Sequence, residues 1–141
     1  MPNRSGTRVH THRKYNALGE RLCTTCGEHK QVTEFRKQAA VKDGLAISCK
    51  LCRRDQHTRS RYNVVYSELL ATQGGRCAMC RQEPSDTRNM SVDHDHSCCP
   101  GEHSCGNCVR GLLCLRCNTT LGLIEDEDLM RRAFTYLGRN C

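Results

Sequence analysis

Thirteen cysteines in 141 residues, eight of them in the four Cys-x-x-Cys pairs at 23/26, 49/52, 77/80 and 114/117, set the terms on which this chain can fold. With no Trp and two Phe, it has few large side chains with which to bury apolar surface. Cross-links must therefore supply what a core does not. Cysteines at this density mean a secreted disulfide framework or metal sites. The start, MPNRSGTRVHTHRK, is basic but lacks the apolar stretch of a signal peptide. No run reaches the roughly eighteen apolar residues that span a membrane. The expectation is an intracellular protein whose thiols stay reduced and whose paired cysteines hold zinc.

The spacing divides the chain. Residues 1–22 read as a flexible basic start. A zinc-ribbon module follows over 23–56, with Cys23 and Cys26 in one knuckle and Cys49 and Cys52 in the other, a four-thiolate site. Between Lys50 and Gln73 there is neither Gly nor Pro. Most of it reads as helix, with a connecting helix over 57–75 ended by Gly74-Gly75. Asn63 and Val64-Val65 are mediocre helix formers and mark a break near residue 62.

The second module, 76–141, is bounded by Cys77 and Cys80 on one side and by Cys114 and Cys117 on the other. Met90 and Val92 alternate as in a strand, and residues 109–113 are its hairpin partner. A helix follows Cys117. The acidic turn at 125–128 precedes a last helix capped by Asp126, with Leu129, Ala133 and Leu137 on a packing face. A zinc clamp around strand, strand and helix brings Asp93, His94 and His96 toward Asn118. Asp and Asn suit a hard ion such as Mg²⁺ or Mn²⁺, and a neutral imidazole suits a general base. Adjacent strand residues face opposite ways, so Asp93 and His94 converge only where the strand ends or twists. The loop between the strands carries Cys98, Cys99, Cys105 and Cys108 with His103. It reads as a third zinc site or as disulfides or unpaired thiols.

The run Gln73-Gly-Gly-Arg-Cys77-Ala-Met-Cys80, then Val92-Asp93-His94-Asp95-His96, then Val109-Arg110-Gly111-Leu112-Leu113-Cys114-Leu-Arg-Cys117-Asn118 resembles the phage-type recombination endonuclease VII group of HNH, or ββα-metal (His-Me finger), nucleases. The resemblance covers roughly residues 73–137. It implies a small zinc-stapled α+β fold, with structural zinc on Cys77, Cys80, Cys114 and Cys117. It also implies a catalytic Mg²⁺ or Mn²⁺ on Asp93 and Asn118, His94 as base, and His96 in support. The implied activity is phosphodiester hydrolysis in DNA, by a phage-encoded enzyme acting in the host cytoplasm. A homodimer is compatible with it. The long C-terminal region of the junction-resolving members is absent from this chain, so cleavage is expected with more weight than four-way-junction resolution.

Two other readings compete. One is a non-catalytic zinc module that binds nucleic acid, and the other is a RING-like interaction module. Residues up to Tyr66 carry fourteen Lys and Arg against five Asp and Glu, whereas the remainder carries eight against ten. A basic half of this kind grips phosphates, and Arg53, Arg54, Arg59, Arg61, Arg110 and Arg116 are the residues expected to do so. The nuclease reading alone explains the trio Asp93, His94 and Asn118, and RING-like sites interleave their ligands around two zincs.

Overall fold

The computed structural model describes residues 14–83 and 90–139; the expectation for residues 1–13, and Cys141, lie outside them. The chain falls into two compact units, Met1–Arg54 and Asp55–Cys141. Each is a small α+β assembly around two-stranded sheets.

In the first unit, β1 (Arg21–Leu22) pairs antiparallel with β2 (His29–Lys30), and β3 (Phe35–Lys37) with β4 (Leu45–Cys49). The core is little more than Cys23, Phe35 and Cys49. Residues 14–22 are folded: Tyr15 bridges to Arg21, and Arg21 is 1% exposed. Such a buried guanidinium is tolerable only when fully partnered. Its Nε donates to the Ala46 carbonyl at 3.1 Å and Nη2 to the Leu45 carbonyl at 3.1 Å. Nη1 meets the Asp43 carboxylate, and the guanidinium lies over the Phe35 ring.

Helix α1 (Lys50–Tyr62) crosses into the second unit. The break marked near residue 62 falls there: Asn63 turns to a φ of 59° and Val65 is extended before α2 (Tyr66–Thr72). The break lets Asp55 reach the start of α2, where its carboxylate accepts from the Ser67 N–H and hydroxyl, both at 2.8 Å. That satisfies helix N–H groups left without partners. Gly74-Gly75 close α2 with bonds from Gly75 N–H to the Leu70 carbonyl and from Gly74 N–H to the Ala71 carbonyl, a Schellman ending.

Strands β5 (Ser91–His94) and β6 (Val109–Leu113) form the expected hairpin, and α3 (Leu115–Glu125) follows. The core gathers Tyr66, Cys77, Met90, Leu112, Leu113 and Cys117. The Gln73 side chain works as a short strand along β6: its Oε1 accepts from Leu112 N–H at 2.8 Å and its Nε2 donates to the Leu112 carbonyl at 3.1 Å. Helix α4 (Glu127–Tyr136) is capped as read, the Asp126 carboxylate accepting from Leu129 N–H at 2.9 Å. Its expected packing face differs: α4 has no buried residue, and Leu129 and Leu137 are exposed. Met130 and Phe134, which lie alongside that face, are half-buried.

The register slips between Asp93 and His94: Asp93 pairs with Gly111 but His94 with Val109, leaving Arg110 as the extra residue of a bulge. Gly111 has a φ of +152°, and a Cβ there would lie 2.9 Å from Gln73 Oε1 and 3.1 Å from Ala78 Cβ. Gly111→Ala should therefore cost about 1–3 kcal/mol. The fifth position of each leading knuckle is left-handed, occupied by Gly27 (φ 74°) in one and by Arg81 (φ 60°) in the other. Arg81→Gly should stabilise by about 1 kcal/mol. Urea unfolding of zinc-loaded protein checks both; equal midpoints for Gly111→Ala and wild type would remove the bulge argument.

Candidate metal centres and active site

Three groups of four cysteines each bring their sulfurs within 4.8 Å of one another: Cys23, Cys26, Cys49 and Cys52; Cys77, Cys80, Cys114 and Cys117; and Cys98, Cys99, Cys105 and Cys108. A tetrahedral zinc with Zn–S bonds of about 2.3 Å needs sulfurs about 3.8 Å apart. Cys23 and Cys52 are 3.8 Å apart and Cys80 and Cys114 4.0 Å apart. All twelve cysteines are free thiols, so the residues fit zinc. His103 is not among the converging groups.

Backbone amides prepare these sulfurs. Cys49 N–H points at Cys23 Sγ (3.3 Å) and Cys114 N–H at Cys77 Sγ (3.4 Å). Burial pushes the Cys23 thiol up, but amides of Cys26, Cys49 and Thr25 together bring it down to about 6. Cys77 behaves alike, also reaching about 6 under amides of Cys80, Cys114 and Met79. Burial and the neighbouring thiols push Cys117 up to about 12 and raise Cys52. One thiolate in each of these two quartets thus forms readily, while Cys52 and Cys117 resist. A divalent cation reverses that, because its charge stabilises every sulfur as thiolate.

The chemistry-bearing residues sit at the bulge. His94 ends β5 and is 4% exposed. Its Nε2 lies 3.3 Å from the Cys99 carbonyl. A carbonyl only accepts, so this contact selects the Nε2–H tautomer of a neutral ring and leaves Nδ1 as the acceptor. The His96 ring stacks on His94 at 4.5 Å, and the Tyr62 ring stands 5.7 Å away.

Asp93 is engaged by Arg110, whose Nε donates to one carboxylate oxygen at 2.7 Å and Nη2 to the other at 3.0 Å. Arg110 also pairs with Glu125 at 2.8 Å. These two carboxylates, Asp93 foremost, raise its pKa and keep it charged. An open cavity of about 300 Å³ is lined by Ala78, Met79, Asp93, Arg110, Leu113 and Leu121. Asn118 is the fourth residue of α3 and half-buried. No hydrogen bond joins its side chain to Asp93 or His94 among the described residues.

The arginines divide. Arg61 donates from Nε to the Glu102 carbonyl at 2.9 Å and pairs with the Glu102 carboxylate. Arg110 is held as above, and Arg54 is half-buried. Arg53, Arg59 and Arg116 are exposed. Tyr62, Gln73 and Cys99 are contributors that residue chemistry alone did not single out. Gln73 was legible only as part of a motif, and Cys99 only as a thiol, whereas its carbonyl makes the contact.

Zinc should be held at two sites or more per chain. Cys114→Ser should lose one zinc and unfold the second unit, since structural zinc contributes on the order of 10–16 kcal/mol of apparent binding free energy. Elemental analysis with circular dichroism checks this, and a folded Cys114→Ser protein without that zinc would refute it.

A recombination endonuclease VII model matches residues 55–139. The Gene 59 protein of Mycobacterium phage L5 is 39% identical over 74 residues, 51% of this chain and 40% of that protein. The Gene 59 protein of Mycobacterium phage D29 is 31% identical over 107 residues, 74% of this chain and 58% of that protein. The chain thus spans about half the length of these relatives. The ββα-Me type II restriction endonuclease Hpy99I overlaps at 20% identity with a TM-score of 0.32, over 92% of this chain and 71% of that one. With the matched segment containing both the second cysteine quartet and the bulged hairpin, this chain belongs to the recombination endonuclease VII family.

Proposed function

We propose that this chain is a metal-dependent endonuclease that hydrolyses phosphodiester bonds in DNA, nicking or cutting duplex or branched substrates. The observation that carries the reading is the His94 ring, fixed in one tautomer by the Cys99 carbonyl beside a carboxylate at a strand end. Family membership supports it. In this reading Nδ1 of His94 takes a proton from the attacking water, and His96 shields and orients the ring. Asp93 and Asn118 would hold Mg²⁺ or Mn²⁺, which supplies charge stabilisation at the phosphate and the departing oxygen. A carboxylate has about four lone-pair positions, and Arg110 occupies two of those on Asp93. The guanidinium then shares Asp93 with the ion or gives way to it. Exposed Arg53, Arg59 and Arg116 would contact phosphates.

A non-catalytic DNA-binding zinc module is the second reading. It is favoured by the bidentate Asp93–Arg110 pair and by the burial of His94. A RING-like arrangement has less support, since the third quartet nests within the second and no two quartets alternate along the chain. Among the described residues no helix is long and apolar enough to cross a membrane.

Plasmid nicking separates these readings. His94→Ala should lower the rate 10²–10⁴-fold, about 3–5 kcal/mol of barrier, with zinc content and melting temperature kept. Asp93→Ala and Asn118→Ala should be partly rescued by more Mg²⁺ or Mn²⁺, and His94→Ala should not. Activity that merely tracks the folded fraction of each variant would favour the second reading. For phosphate contacts, Arg59→Ala and Arg116→Ala should each reduce the slope of log affinity against log salt by about one, and unchanged slopes would assign these side chains to solvent.

A further inference from the structure

The hairpin loop, residues 95–108, holds four thiols that belong to neither knuckle-built quartet. Cys98 Sγ lies 4.0 Å from Cys105 Sγ and 3.9 Å from Cys99 Sγ, and Cys105 Sγ lies 3.8 Å from Cys108 Sγ. These are edges of the tetrahedron that four sulfurs make around zinc, about 3.8 Å. Cys105 N–H points at Cys99 Sγ at 3.3 Å, as amides do in the other two quartets. Hydrophobic burial does not account for the gathering, because Cys98 and Cys105 are exposed.

The same loop meets His94 through the His96 ring and through one backbone atom. The carbonyl facing His94 Nε2 belongs to Cys99, a member of the quartet. Two backbone bonds close the loop on itself next to the strand end: Asp95 N–H to the Cys108 carbonyl at 3.0 Å, and Cys99 N–H to the Asp95 carbonyl at 3.1 Å. On its outer side the loop docks on the end of α1. Arg61 holds the Glu102 carbonyl and carboxylate, and its own carbonyl accepts from Ser104 N–H at 3.0 Å. A loop of this length has no apolar core to keep one backbone atom in place.

We propose that Cys98, Cys99, Cys105 and Cys108 bind a zinc ion that holds the Cys99 carbonyl against the His94 ring, making the quartet a positioning group for His94. Its role in catalysis rests on the nuclease reading above; its hold on the ring does not. Outer partners that orient a working side chain are typically worth about 10–100-fold in activity.

The test uses the full chain and a Cys105→Ser/Cys108→Ser variant, with three readouts: bound zinc by elemental analysis, His94 ring ¹⁵N shifts, and plasmid nicking. Wild type should carry three zincs and show one neutral His94 tautomer with the proton on Nε2. The variant should carry two zincs, show averaged tautomers, and nick about 10–100-fold more slowly with the second unit still folded. Two zincs in wild type would overturn the proposal. So would loss of the third zinc with the ring shifts unmoved, or with nicking unchanged. Should the variant not fold, stepwise chelation of wild type decides: the exposed loop should release its zinc first, and the ring signature should change with that equivalent. A change that waits for the remaining zincs overturns it. If wild type nicks nothing with any divalent ion, the nuclease reading fails, while zinc count and ring shifts still decide the loop metal.

Discussion

Four sulfurs drawn within 4.8 Å of one another gain little as neutral thiols and repel as thiolates. Such a cluster is useful chiefly when a cation sits among them. The rest of this structure depends on that constraint. Among the described residues the core cluster of the first unit is Cys23, Phe35 and Cys49, and that of the second is one small cluster. Neither buries the apolar surface that usually holds a hairpin at a fixed angle to a helix. A zinc on Cys77, Cys80, Cys114 and Cys117 would fasten the start of α3 to the knuckle before β5. The site residues on β5 and α3 would then share one rigid frame.

Within that frame the bulge at Arg110 does the local work. On a regular strand Asp93 and His94 would face apart. In the structure His94 is buried with the His96 ring stacked on it, while Asp93 stays on Arg110, the extra residue of the bulge in β6. The slip needs a residue that accepts a φ of +152° and has no Cβ to strike Gln73 or Ala78, which is why Gly111 stands there. Gln73 in turn satisfies both backbone groups of Leu112 and so stands in for a third strand along the edge of β6.

Charge is distributed by purpose rather than by count. Of the six arginines read as phosphate contacts, Arg61 is spent on the loop and Arg110 on Asp93 and Glu125. Arg110 also donates to the His94 carbonyl at 3.3 Å. The surface that remains for phosphates in the second unit is correspondingly smaller than its composition suggests.

The sequence by itself determined the elements whose signals are local. Knuckle spacing marked two quartets, alternation at Met90 and Val92 marked β5, residues 109–113 marked β6, and Asp126 and Gly74-Gly75 marked helix ends. The motif around Asp93 and His94 carried the family. Tertiary structure alone decided how those residues are used. The convergence of Cys98 and Cys99 with Cys105 and Cys108, the Arg110–Asp93 pair, the grip of Arg61 on Glu102 and the Cys99 carbonyl at His94 each join positions whose approach depends on a turn, a bulge or a docked loop. A period or a composition registers one-dimensional spacing. It does not record that one carbonyl in a fourteen-residue loop (residues 95–108) comes to rest 3.3 Å from an imidazole nitrogen, because that distance is set by the packing of the loop against α1 and by the sulfurs that gather it.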